Sequence, residues 1–286
     1  MGILNVTPDS FSDGGLFYDL DTALAHAHEM LKNGADIIDV GGESTRPGSK
    51  PVPEDEELRR VIPVIRELSK GTDKAISIDT YKARVAEKAI EAGAQIVNDI
   101  SGLKADKDMA QVAALTQAPI IINHIKGQPH NMPKKPVYEN LMSEIMFDLR
   151  QSIDLAVKSG IKEDAIIVDP GIGFGKTTQH NLEILNRLEE FKSLGRPIMI
   201  GTSRKSFIGH VLGLSASGGF TPDLIRGTAA TIAVAIIKGA KIVRVHDVKE
   251  AVQVVLICDA IKNSSSSPSP QPSPLRERIG EGRGVT

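Results

Sequence analysis

Tryptophan is absent from the 286 residues, and all aromatics together make up 3% of them. That leaves too few stacking faces for a platform that binds single-stranded nucleic acid. The one cysteine, Cys258, excludes an internal disulfide framework and a cysteine-rich zinc site. It falls among Val254, Val255, Ile257 and Ile261 in a helical pattern, where a packing thiol is expected. A formal net charge of -2 implies no polyanion-binding surface overall. No apolar run approaches the roughly 18 residues of a membrane-spanning helix, and the first residues lack the basic and long apolar regions of a signal peptide. The expected setting is cytoplasmic, with small molecules rather than nucleic acid or membrane as partners.

What is present is an alternation. Short β-branched runs recur eight times, at Gly2–Val6, Asp36–Val40, Ala75–Ile78, Gln95–Val97, Pro119–Ile122, Ala165–Val168, Pro197–Ile200 and Lys241–Val245. Such runs read as parallel strands buried on both faces. Between them lie segments with helical spacing, such as Met142, Ile145, Met146, Leu149, Ile153 and Ala156. Gly34, Gly93, Gly160 and Gly239 stand where helices should close before the next strand. Eight β-then-α units in about 250 residues match a (β/α)8 TIM barrel. A doubly wound open sheet is the competing architecture, but the first strand-to-helix junction carries no G-x-G-x-x-G fingerprint. Residues 1–262 are expected to form a single domain. Residues 263–286, rich in Ser and Pro, cannot build a core and are expected to be disordered.

The most informative run is Ile166-Ile167-Val168-Asp169-Pro170-Gly171-Ile172-Gly173-Phe174-Gly175-Lys176-Thr177. A strand ends there in a carboxylate and a loop whose glycines let a ligand approach the backbone closely. It is not a P-loop: Gly171 and Gly175 are separated by three residues where that motif needs four. Lys176 is therefore assigned to the loop rather than to a nucleotide. Polar residues end the other strands too: Asn5, Asp39 with Glu43, Asp79, Asn98 with Asp99, Asn123 with His124, Ser203-Arg204-Lys205, and Arg244 with His246. In a barrel these ends form one rim, where active sites lie. Asp79, Asn98, Asp169 and Lys205 suit a flat heterocycle bearing N–H donors and carbonyl acceptors. Arg46, Arg244 and His246, with Asn5 as a neutral oxygen ligand, suit a phosphate and Mg²⁺. Asp39 is read as a structural carboxylate bonded to loop amides, Asp99 as facing a neighbouring strand, and His124 as a structural histidine.

Seven segments in register resemble the dihydropteroate synthase family: residues 1–15, 39–48, 77–80, 98–102, 169–176, 201–209 and 244–248. The resemblance spans residues 1 to about 262. It implies condensation of 4-aminobenzoate with a dihydropterin diphosphate, releasing pyrophosphate. Asp79, Asn98, Asp169 and Lys205 would then bind the pterin, with Phe174 and Arg244 against its ring and Ile125 as an apolar wall. Asn5, Arg244 and His246 would hold the diphosphate with Mg²⁺. Thr45, Arg46 and Pro47 on the second loop, with Phe11, Ser12 and Asp13 on the first, would close over it. Phe11, Pro47, Phe174, Lys205 and Ser206 would form the aminobenzoate pocket. The family also implies a homodimer built through the later helices. The alternatives are a pterin-binding methyltransferase domain and a non-catalytic pterin binder.

Overall fold

Eight parallel strands form a ring in the computed structural model, which describes residues 1–7, 20–44, 49–128, 131–133, 135–214 and 221–264. They are β1 (Gly2–Asn5), β2 (Ile37–Gly41), β3 (Ala75–Asp79), β4 (Ile96–Asp99), β5 (Ile120–Asn123), β6 (Ile166–Asp169), β7 (Met199–Ile200) and β8 (Ile242–Val243). Six pair in the order β1 to β6, and β7 pairs with β8. Bridges Val168↔Ile198 and Gly2↔Val245 join the two groups. The second seam is reinforced where the Ile3 amide donates to the Val245 carbonyl and the Val245 amide to that of Met1, both at 2.9 Å.

Around the ring lie α1 (Leu20–Lys32), α2 (Glu54–Gly71), α3 (Ala83–Glu91), α4 (Met109–Thr116), α5 (Leu141–Lys158), α6 (Thr178–Asn186), α7 (Ser206–Val211), α8 (Pro222–Ile237) and α9 (Val248–Ser264). The (β/α)8 barrel expected from the alternation is the observed fold. β7 and β8 are shorter than their apolar runs because their outer residues pair only through isolated bridges and loop bonds.

Local chemistry explains the helix ends. Gly34, Gly93, Gly160 and Gly239 all take left-handed φ, between +97° and +118°. Each helix closes with the paired amide bonds of a Schellman turn. Gly34 donates to the Leu31 carbonyl and Ala35 to that of Met30, both at 3.0 Å. The residue after each glycine, Ala35, Ala94, Ile161 or Ala240, is buried, so the cap aims the chain back at the ring. At its start, α5 is capped by the Asn140 side chain, which accepts from the Ser143 amide at 3.1 Å. Its buried face comprises Leu141, Met142, Ile145, Leu149, Ser152, Ile153 and Ala156.

The core has two parts. A large apolar shell fills the space between strands and helices. A smaller cluster plugs the ring, built on Ile96, Ile121 and Met199, with Met1, Ile37, Ala75, Ile167 and Ile242 packed against them. Each fully buried aliphatic side chain contributes about 1.5–3 kcal/mol. The arrangement also sets the site. Side chains alternate along a strand, so two residues beyond the plug the next inward positions are Asp39, Ser77, Asn98, Asn123, Asp169 and Arg244. An apolar floor thus lies directly under a polar layer. Cys258 is buried, as its pattern predicts.

Candidate active site

Arg244 is the centre of the polar layer. Its Nε donates to Asp39 Oδ2 at 2.6 Å and its Nη2 to Asp79 Oδ2 at 2.5 Å. Asn98 Nδ2 donates to the same Asp39 oxygen at 3.1 Å. These residues come from β2, β3, β4 and the end of β8, so the ring itself brings them together. Asp39 is not held by loop amides, as the sequence suggests. Its parity with Ile37 turns it inward, where it meets Arg244 and Asn98 instead. Asp99 is also corrected: it turns back on its own chain, accepting from Ser101 Oγ at 2.6 Å, from the Ser101 amide at 2.8 Å and from the Leu103 amide at 2.7 Å.

Asp39 Oδ1, Asp79 Oδ1 and Asn98 Oδ1 are buried without hydrogen-bond partners among the described residues. Buried acceptors carry a desolvation cost unless something donates to them. Three of them gathered around Arg244 form a surface complementary to a ligand edge rich in N–H groups. Asp169, at the end of β6, is buried beside them and accepts from the Gly171 amide at 2.7 Å.

The loop after β6 completes that wall. Gly171 has φ +73°, and a Cβ there would stand 1.8 Å from the His124 carbonyl oxygen. Only glycine lets the loop pass so close to the end of β5. The turn presents Phe174, with Lys205 Nζ 4.2 Å from the ring centroid, a cation–π contact. Lys205 precedes α7, with Ser206 exposed at that helix's first turn, and Ile125 is buried after β5. His246 is braced by Ser203: Ser203 Oγ lies 3.0 Å from His246 Nδ1 and accepts from the His246 amide at 3.2 Å. Ser203 stands at the rim in the sequence, but its bracing role had no signal there.

At the rim end of β1, the Asn5 amide oxygen and the Asp79 side chain both approach Gly41, within 4 Å of where a Cβ would stand. Among the described residues, no group of three or more His, Cys, Asp or Glu side chains is placed to hold a metal ion. The Asn5 oxygen beside Asp79 is a donor set that would suit Mg²⁺, which takes one or two protein oxygens and fills the rest with phosphate and water. Phe11, Ser12, Asp13, Thr45, Arg46 and Pro47 lie outside the described residues.

Burial dominates the electrostatics. It pushes the Asp79 carboxyl up to about 7, against the pull of Arg244 and helped by the like charge of Asp39. It raises Asp169 as well, against the Gly171 amide and Lys205. Burial, together with the nearby Arg244, lowers Lys205 to about 8, against Asp169 and Asp79. For Arg244 burial opposes the charge, but Asp39 and Asp79 hold its pKa above the ordinary value. The mouth thus combines two carboxyls, Asp79 and Asp169, whose protonated form burial favours, a lysine lowered to about 8 and a permanently charged guanidinium.

A family profile described as pterin binding enzyme matches residues 1–246. A dihydropteroate synthase of Clostridium beijerinckii is 52% identical over 262 residues, covering 91% of this chain and 93% of that protein. The crystal structure of a dihydropteroate synthase from Clostridium difficile in the presence of pteroic acid superposes with a TM-score of 0.84 at 50% identity, covering 91% of this chain and 95% of the other. A Yersinia pestis dihydropteroate synthase in a sulfonamide drug complex gives 0.84 at 43% identity, covering 92% and 93%.

Proposed function

The chain belongs to the pterin binding enzyme family, and from that premise we propose that it is a dihydropteroate synthase. It joins 4-aminobenzoate to (7,8-dihydropterin-6-yl)methyl diphosphate, giving 7,8-dihydropteroate and pyrophosphate in folate biosynthesis. The observation that carries this reading is the row of unpartnered buried acceptors on Asp39, Asp79 and Asn98 beside a guanidinium and a lysine. A pterin edge supplies N–H donors to such a row and carbonyl and ring-nitrogen acceptors to Lys205.

Asp79, Asn98 and Asp169 take the pterin's N–H groups, Lys205 donates to it, and Phe174, Ile125 and Arg244 line its ring. Arg244 and His246, with Arg46, hold the departing diphosphate. Asn5 would contribute an oxygen to Mg²⁺, which supplies positive charge to the leaving group when bound. Phe11, Pro47, Phe174, Lys205 and Ser206 form the aminobenzoate pocket, where sulfonamides compete, and Thr45 and Asp13 belong to the covering loops. The arylamine is a weak nucleophile, and the described residues assigned to its pocket include no carboxylate or imidazole to deprotonate it. The C–O bond to diphosphate therefore breaks first, the electron pair leaving with pyrophosphate, and the electron-rich dihydropterin carries the positive charge. The arylamine nitrogen then bonds to that carbon and releases a proton. The protein's work is to stabilise the anion and exclude water.

Residues 1–262 act as one pterin-binding domain in the cytoplasm, and the remaining tail has no catalytic part. The molecule pairs as a homodimer through later helices, a reading supported by exposed Val234 and Ile237 on α8 and Leu256, Ile257 and Ile261 on α9. Mixing the pterin diphosphate with 4-aminobenzoate tests the activity. Pyrophosphate release that requires both aminobenzoate and Mg²⁺ is expected. Tight pterin binding without release overturns the synthase reading.

A further inference from the structure

Behind the pterin wall, away from the ligand face, a second polar chain runs from the surface to the loop after β6. Lys104 Nζ and His124 Nε2 both approach Asp148 Oδ2 on α5, at 3.1 and 3.4 Å. On the far side of the imidazole, His124 Nδ1 lies 2.8 Å from Lys176 Nζ. That ammonium also donates to the Phe174 carbonyl at 3.1 Å and the His124 carbonyl at 3.4 Å. Burial lowers Lys176 to about 7, against the pull of Asp169; in its charged form it has three donors and no acceptor, and here it meets three acceptors. Nδ1 must then be the unprotonated nitrogen, which leaves the proton on Nε2, facing Asp148. A hydrogen bond on Nδ1 and a carboxylate facing Nε2 thus favour the same tautomer from opposite sides.

The same loop is tied down elsewhere. Tyr138 donates its hydroxyl to the Gly175 carbonyl at 3.0 Å, and the His124 amide donates to the Asp169 carbonyl at 2.9 Å. Within this set Lys176 is the side chain that grips Phe174 itself. The Phe174 ring in turn carries Lys205 over its face.

We propose that Lys176, locked by His124 and Asp148, is a positioning residue for the aminobenzoate pocket, setting the orientation of Phe174 and through it that of Lys205. It touches no substrate and acts from behind the wall. The proposal rests on the synthase reading for its kinetic consequence, but the locked imidazole is a property of the protein alone. In keeping with this geometry, burial and the adjacent Lys176 push His124 down to about 4, against the pull of Asp148, so the ring is neutral at physiological pH.

Two measurements on the full chain test it. Nitrogen-15 NMR of the histidine rings, with the His124 signal assigned through His124→Gln, is expected to show the Nε2–H tautomer alone near pH 5.5, above the His124 titration at about 4 and below that of Lys176 at about 7. In Lys176→Met the tautomers are expected to mix. In steady-state kinetics, Lys176→Met is expected to raise KM for 4-aminobenzoate by roughly 5–20-fold, the scale of one lost charge-assisted hydrogen bond, with kcat within about threefold. Lys176→Arg, which keeps the donors, is expected to recover most of that loss. If Lys176→Met does not fold, Asp148→Asn, at a partly exposed position, is expected to shift the same KM in the same direction by a smaller factor. An Nδ1–H tautomer in the wild type overturns the lock. An unchanged KM in the variants, or a fall in kcat alone, overturns the positioning role. A wild type that shows the tautomer but no turnover instead fails the synthase reading.

Discussion

Arg244 pairs with one oxygen of each of two carboxylates through one guanidinium, and its amide donates to the Ile200 carbonyl of β7 at 2.9 Å. Replacing it with alanine strands Asp39 and Asp79 as buried carboxylates, so Arg244→Ala is expected to cost about 3–5 kcal/mol of stability. Because the group is assigned to the leaving diphosphate, kcat is expected to fall by roughly 10²–10³, with much smaller effect on 4-aminobenzoate binding; steady-state kinetics with urea titration measures both. Asp79 offers a pH test. An unfolded aspartate titrates near about 3.9, whereas in the fold burial raises Asp79 to about 7. Between those values the folded protein holds a proton that the unfolded chain has released, so this group's contribution to stability declines as pH rises through the window. Asp79→Asn cannot ionise. Its stability relative to wild type is therefore expected to improve steadily from pH 4 to 7 and then level off, read by thermal melts at each pH, while pterin turnover collapses. A flat difference across that range would remove the raised carboxyl from the account.

At the scale of the element, two glycines separate backbone strain from close approach. Gly160 has φ +100° and its nearest neighbour, Ala114 Cβ, stands 3.8 Å from an added methyl. Gly160→Ala is expected to cost only the left-handed penalty, about 1–2 kcal/mol, and to leave kcat/KM unchanged. Gly171→Ala adds a collision with the His124 carbonyl and is expected to displace the Phe174 loop, so activity is lost along with stability. Equal kinetic damage in the two would contradict the loop's role. These elements also show what a reader of the sequence could and could not see. β-branched runs marked all eight strands, and the four glycine caps stood out because a helix ending before a buried strand needs such a turn. The rim residues were legible by position, since each follows its strand's apolar run. The partner of Asp39 was not: parity shows that its side chain points inward, but nothing local says that an arginine 205 positions later will meet it. Asp99 failed for the opposite reason, because a short loop back to Ser101 and Leu103 competes with any strand neighbour.

The molecule as a whole is one ring with one apolar shell, and its proposed pairing surface lies on α8 and α9. A charge in the middle of that surface should separate the copies without touching the mouth. Ile257→Glu is expected to sediment as a monomer with kcat/KM per chain close to wild type; a dimer that persists would move the pairing surface elsewhere.

The seam between β1 and β8 joins segments at opposite ends of the barrel sequence, with the Val245 amide on the Met1 carbonyl and the Ile3 amide on the Val245 carbonyl. A chain emerging from the ribosome has made the carboxylates of the mouth long before the arginine that balances them. Until that last strand docks, Asp39 and Asp79 lack the guanidinium that both of them accept from in the finished barrel. A polypeptide terminated before that strand therefore lacks both the bonds that close the cylinder and the guanidinium that pairs with the two carboxylates.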